Sequence, residues 1–354
     1  MARTIKLTSG SIFNGNPITF TIQPNIIIGE DDDKNPVYPS FHRVIVEVVC
    51  GMSGGSYETI QMSQPVTEET DTAKVDIDIS SALRTLRDAY TYTAEAVTYP
   101  FVSYRVRAYD EYMLNGEVKQ TGYVYFPGED TYYRSIFGGF SDFDRLTSAQ
   151  TKGVTALSRK PSSAPHLAFV GESFAYAPPY STSQEIADSG SLEAPTSKIV
   201  TVSKEGAQTL GYQSIYALSS SEAANRQVFR FINSFGVLES ISVPRAYSKS
   251  MSVTTTAYTV ARQETFNSFS RSAVKKQGNI ETWTFQTDPL NEDWLHWYLH
   301  EFLMSEHIWM QIKNVWVPCT ITVDDDIEFL DRTSGSMYSI TFAAALDITG
   351  SPLL

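Results

Sequence analysis

Apolar and polar positions alternate along most of this chain with a period of two, and a period near 3.6 shows in only two stretches. The clearest alternation is Ile280-Glu281-Thr282-Trp283-Thr284-Phe285-Gln286-Thr287. Trp283 and Phe285 share one face there and threonines the other, as in a half-buried strand. Asp288-Pro289 then offers a capping oxygen and a first-turn proline, with Glu292 and Asp293 near the positive end of a helix dipole. Together they predict a helix over 290–304, with Trp294, Leu295, Tyr298, Phe302 and Leu303 as its apolar stripe. Strands are expected at 308–312 and 315–323, around Lys313-Asn314, and again at 327–330 and 337–346 beyond Asp324-Asp325-Asp326. The stretch holds all five tryptophans of the chain, so a core is expected there.

Upstream, strands are predicted at 18–28, 41–49, 75–79, 101–109 and 118–126. Turn residues such as Asn14-Gly15-Asn16-Pro17 and Asn115-Gly116 separate them. Val44, Val46 and Val48 alternate with Ile45, Glu47 and Val49, which predicts a strand covered on both faces. A short helix over 81–90, capped by Ser80, carries Leu83, Leu86 and Tyr90. Residues 1–131 thus read as a β-sandwich-like domain. Residues 132–197, with Gly138-Gly139, Pro178-Pro179 and many Ser and Thr, read as an extended linker or arm with one strand near 166–176. Residues 198–354 read as an antiparallel β-sandwich with one packed helix, making the fold class mainly β. In this last domain a long strand at 251–263 sets Val253, Thr255, Ala257 and Thr259 against Ser252, Thr254, Thr256 and Tyr258. It has almost no apolar face, so its partner is expected to be another chain, water or a lumen.

Composition narrows the functional classes. The 354 residues carry a net charge of -13 with a pI near 4.9, a surface that repels polyanions. From charge alone an ordinary acidic soluble protein is the favoured reading, and a channel past which DNA slides is the other. Cys50 and Cys319 make neither a disulfide framework nor a zinc-ligand spacing. Residues 1–7 lack the apolar core of a secretory signal, and no apolar run is long enough to span a bilayer. Synthesis in a cytoplasm without membrane insertion is expected. His296 and His300 share a helix face near His307, but no glutamate completes a His-Glu-x-x-His arrangement. Nucleophile elbow, phosphate loop and dinucleotide fingerprint are absent from the sequence. No catalytic residue, metal or cofactor is therefore expected, and the chain does not read as an enzyme. Tyr104, Tyr109, Tyr112, Tyr123 and Tyr125 form a candidate partner surface for sugars or a protein. Cross-strand pairing within a sheet is the competing reading of the same residues.

One segment has a family look. Phe229-Arg230-Phe231-Ile232-Asn233-Ser234-Phe235-Gly236-Val237-Leu238-Glu239 gives a strand, an Asn-x-Phe-Gly turn and a returning strand. The long Thr-rich strand, Trp-x-Phe, a helix and a closing hairpin follow. This order resembles the structural tail proteins of phages and prophages of Bacteroidetes-type bacteria. It is also similar to the sandwich-plus-helix unit of tail-tube, distal-tail and baseplate-hub proteins. The resemblance covers about the last third of the chain. It implies a non-enzymatic virion protein of the tail, assembled in the host bacterial cytoplasm into a homo-hexameric or other ring. Its partners would be copies of itself and other tail proteins, with DNA as passing cargo in the lumen. Val253, Thr255, Ala257 and Thr259 would then be the subunit-interface strand. The alternative is a carbohydrate- or receptor-binding adhesion module that uses the Tyr-rich surface.

Overall fold

A computed structural model describes residues 4–9, 13–25, 27, 29–30, 33–51, 57–67, 73–86, 92–97, 101–126, 128–139, 154–161, 165–177, 179–181, 196–210, 213–260, 271–323 and 337–346. They are mainly β and group into two units. Unit 1 is Met1–Leu157, Pro178–Thr196 and Ser234–Val237; unit 2 is Ser158–Ala177, Ser197–Asn233 and Leu238–Leu354. The units interleave in sequence, because segment 132–197 supplies strands to both rather than forming one extended arm.

In unit 1, β1 (Thr4–Ser9) and β2 (Thr19–Gln23) lead through a small ladder of β3 (Gly29–Glu30) and β4 (Pro36–Val37) to β5 (Ser40–Gly51). β6 (Tyr57–Pro65), β7 (Val75–Asp78), β8 (Phe101–Leu114), β9 (Glu117–Gln120), β10 (Val124–Phe126) and β11 (Tyr133–Ile136) follow. One sheet has the order β1-β2-β7 and the other β10-β8-β5-β6, with β9 and β11 also on β8. Val44, Val46, Val48 and Cys50 of β5 share a core with Val102, Tyr104, Val106 and Ala108 of β8. Phe20, Ile22, Val75 and Ile77 of the smaller sheet complete it, so alternate positions of both sheets meet as in a sandwich. Residues 44–50 are buried throughout, as their alternation predicts. Asn115 and Gly116 take φ of 54° and 81° in the β8–β9 turn, which needs left-handed residues. The helix expected over 81–90 is described as α1 (Ser80–Arg84), with residues 87–91 outside the described set. Its start is held by Asp78, whose carboxylate accepts from Ser80 N at 2.9 Å and Ser80 Oγ at 3.0 Å. A short antiparallel pair, β12 (Val154–Ala156) and β15 (Pro179–Ser181), completes the unit.

In unit 2 the single strand expected near 166–176 is two, β13 (His166–Phe169) and β14 (Ser173–Tyr176), separated by Gly171 at φ +95°. β14 pairs with β16 (Lys198–Thr201), while β17 (Gly206–Leu210) and β13 flank β18 (Gln213–Leu218). The main sheet has seven antiparallel strands. They are β19 (Arg226–Ile232), β20 (Leu238–Pro244), β21 (Ser248–Val260), β22 (Arg271–Gln286), β23 (Ile308–Ile312), β24 (Val315–Thr322) and β25 (Thr341–Leu346). Their spatial order is β20-β19-β23-β24-β25-β22-β21. Lys313 and Asn314 turn β23 into β24 at φ of 47° and 65°.

The helix starts later than expected. α2 (Glu292–Trp297) is capped by Asn291, whose side chain accepts from Trp294 N at 3.0 Å. Asp288 instead pairs with Arg226 at 2.7 Å, and Leu290 is bridged to Tyr338. From Tyr298 to Leu303 the turn widens to a π-helix. The wider turn alters which side chains face the sheet. Trp297 joins Trp294, Leu295, Tyr298 and Phe302 in the core, and Leu303 is only partly buried. Phe285 stacks on Phe342 at 5.4 Å, and Phe302 sets an edge to Phe229 at 5.6 Å. Each of these side chains buries about 1.5–3 kcal/mol of apolar transfer free energy. The strand expected at 327–330 lies outside the described residues.

Candidate functional site

The two edges of the seven-stranded sheet differ in how their main-chain groups are satisfied. At the β20 edge, side chains take the place of a neighbouring strand. Ser197 Oγ accepts from Leu238 N at 2.9 Å and donates to Leu238 O at 3.1 Å. Lys160 Nζ donates to Ser240 O at 2.9 Å, and Arg226 Nη2 donates to Ser242 O at 2.6 Å. Ala175 N donates to Ser240 Oγ at 2.7 Å. Leu238, Ser240 and Ser242 thereby each have a main-chain group taken by a side chain.

The opposite edge is β21, which has β22 as its one neighbour in the sheet. β22 pairs with β25 only from Glu281 to Gln286, whereas the β21–β22 register runs on from Val253↔Gly278 to Val260↔Arg271. Eight register pairs therefore continue past the sheet as a two-stranded ribbon, about 26 Å long at the usual rise per residue. Among the described residues neither long side of this ribbon meets a third strand. The proposed interface positions Val253, Thr255, Ala257 and Thr259 sit in it, paired with Gly278, Lys276, Val274 and Ser272. Their side chains lie outside the described residues. Lys249 Nζ, 3.2 Å from the Trp283 ring centroid, holds the base of the ribbon to the sheet.

Of the tyrosines, the structure brings three together and separates two. Tyr109 and Tyr123 meet edge to face at 5.2 Å, and Tyr125 lies 6.1 Å from Tyr123 on the outer face of the β5–β8 sheet. Tyr104, at 1% exposure, is a core residue and not part of a surface. In Phe101–Leu114 it alternates with Phe101, Ser103 and Arg105, and so points inward with Val102 and Val106. Tyr112 stands apart, against His42 at 6.3 Å. The sequence reading missed the arginines of this face. Arg107 lies 4.4 Å from the Tyr123 ring and pairs with Glu47 at 2.6 Å; Arg105 lies between Tyr125 and Tyr132, at 5.7 and 5.2 Å. Their alternation with Val106 and Ala108 was the available signal.

Unit 2 also buries an ionic group set. Arg159 pairs with Glu301, which is almost wholly buried. Burial pushes the Glu172 carboxyl up to about 7, opposed in part by the Phe169 N–H and the charges of Arg226, Lys160 and Arg230. Burial also raises Glu239 and lowers Lys160. His166, packed against Phe174 and Trp294, falls well below its usual value through burial and the charges of Lys160 and Arg226. These groups brace the covered side of the sheet. The Cys50 and Cys319 thiols are pushed up to about 12, chiefly by burial, and are poor nucleophiles. Among the described residues no three His, Cys, Asp or Glu side chains converge as a metal site. His296 and His300 stack in the open at 5.9 Å. Asp324-Asp325-Asp326 lies outside the described residues. Among the described residues no helix is long and apolar enough to cross a membrane. No protein-family model, curated protein or solved structure matches the chain.

Proposed function

We propose that this chain is a non-enzymatic structural protein of a phage tail, joining copies of itself into a ring around the DNA channel and linking tail components. One observation carries the reading: a long ribbon leaves its own sheet with neither side paired to a third strand among the described residues, while side chains cover the far edge of that sheet. An isolated two-stranded hairpin is marginal in water, and an open edge invites another strand. The sealed β20 edge cannot receive β21 of a neighbour. The remaining route is ribbon to ribbon, with β21 of one subunit against residues 271–278 of β22 in the next. The two sides of the ribbon are different, so that contact is head-to-tail, and a head-to-tail contact that closes by rotation gives a ring. The net charge of -13 over the whole chain disfavours tight binding of a polyanion.

Light scattering on the size-fractionated full chain, with negative-stain images of the same fractions, tests this. Closed rings of uniform size are expected. A strict monomer at every concentration overturns the reading.

A further inference from the structure

On the outer face of the β5–β8 sheet in unit 1, Arg105 has no carboxylate partner among the described residues. Cross-strand register explains why. Arg107 faces Glu47 on β5, and Arg43 faces Glu111, so each has a carboxylate partner. Arg105 faces Val49 instead. Among the described residues no carboxylate pairs with Arg105, and its Nε is buried with no hydrogen-bond partner. Its guanidinium is held between the Tyr125 and Tyr132 rings, so the side chain is fixed in place without being neutralised. Tyr57, 64% exposed, extends the aromatic row from Tyr132 at 5.9 Å, and Tyr123, 44% exposed, extends it from Tyr125. Beside these rings run Thr59, Gln61 and Ser63, alternate exposed positions of β6 that offer hydroxyls and an amide.

We propose that this face binds an acidic saccharide, with Arg105 receiving the sugar carboxylate and the tyrosine rings stacking on the pyranose faces. The chemistry fits each part. A guanidinium fork matches a carboxylate bidentately, and tyrosine presents both an apolar ring and a hydroxyl. Hydroxyl and amide side chains both donate and accept, as sugar hydroxyls require. Size argues against a protein partner. Three strand spacings by six residues is about 14 Å by 20 Å, on the order of 300 Å², against roughly 800 Å² per partner in a stable protein interface. The proposal stands on unit 1 alone and does not need the ring.

Calorimetry of the full chain with oligogalacturonate and with sialyllactose, each beside its carboxyl-reduced form, tests it. At least one of the two acids should bind. Its reduced form should bind about tenfold more weakly, as should the acid to Arg105→Gln. The two losses should not add, because they remove the same contact. Val49→Glu gives Arg105 the carboxylate that Glu47 gives Arg107, and should abolish the preference for the acid with the fold intact. Failure of both acids to bind at millimolar concentration, or equal binding by native protein and Arg105→Gln, overturns the proposal. Binding of polyglutamate with no binding of either saccharide also overturns it, in favour of an acidic peptide.

Discussion

The two edges of the seven-stranded sheet are made of the same chemical groups and treated in opposite ways. Along β20, outward main-chain groups meet the Ser197 hydroxyl, the Lys160 ammonium and the Arg226 guanidinium. Along β21 the chain supplies no such cover among the described residues, and the strand runs on past its sheet. Covering an edge with side chains is one way a protein prevents pairing with another chain. Doing so on one side only leaves a single direction in which the sheet can grow. The largest expected effect follows from that asymmetry. Met251 and Glu281 are register partners, so replacing residues 252–280 by an Asn-Gly turn closes a short hairpin at the sheet margin. Rings should vanish completely in light scattering, while the thermal midpoint moves little because the described core of unit 2 is untouched. Rings that persist in this variant would place the interface elsewhere.

The covered side should be costly to disturb. Arg159→Met leaves the buried Glu301 carboxylate without its guanidinium. Breaking a buried pair from one side destabilises by about 3–5 kcal/mol, which urea unfolding would read directly. An unchanged midpoint would mean that the Arg159–Glu301 pair contributes nothing to the stability of unit 2.

Acid and base should then divide the same region. Glu172, raised from 4.5 to about 7 by burial, favours the folded state at low pH and loses that contribution as pH rises through 7. His166, lowered by burial, acts the other way: its contribution is present above about 6.5 and is lost as pH falls. The two act in opposite directions between about pH 5 and 6.5, so removing either one should tilt the native profile there. Glu172→Gln should make stability climb with pH across that window, and His166→Asn should make it fall. The Glu172 contribution has a ceiling of about 3 kcal/mol. Two variants that keep the native slope would show that neither group titrates between the folded and unfolded states.

The fold was more legible than its closure. Trp283, Phe285 and Phe342 alternate with polar residues, and the helix from Trp294 to Phe302 shows its stripe, so the sheet-plus-helix core could be read from periodicity alone. Short-range turn chemistry was equally readable at Asn115-Gly116 and Lys313-Asn314, where positive φ is required. The covering residues were hidden for a physical reason. Lys160 and Ser197 lie in Ser- and Pro-rich segments whose composition reads as linker, and their targets, Ser240 and Leu238, are far along the chain. Only tertiary packing brings them together. Asp288 misled in the same way: its spacing suits a helix cap, but the buried Arg226 claims its carboxylate, and Asn291 caps the helix instead. Gly236 of the Asn-x-Phe-Gly turn belongs to a third kind. A side chain there would overlap the Phe137 carbonyl oxygen, a constraint no local pattern reveals.

The smallest expected effect isolates one link of the covered edge. Ser197 is buried, and its single hydroxyl both accepts from Leu238 N and donates to Leu238 O. Ser197→Ala removes no apolar volume, yet it strips two main-chain groups of their partner at a residue with no exposure. Leaving buried groups unpaired costs about 1–3 kcal/mol, enough to move a urea midpoint measurably. Ser250 sits on the exposed base of β21, and Ser250→Ala should change stability by no more than about 0.5 kcal/mol. The same substitution on the two margins of one sheet thus tests whether the hydroxyl closes an edge or merely sits near one. Equal effects at both positions would show that the β20 edge is no more tightly sealed than the β21 edge.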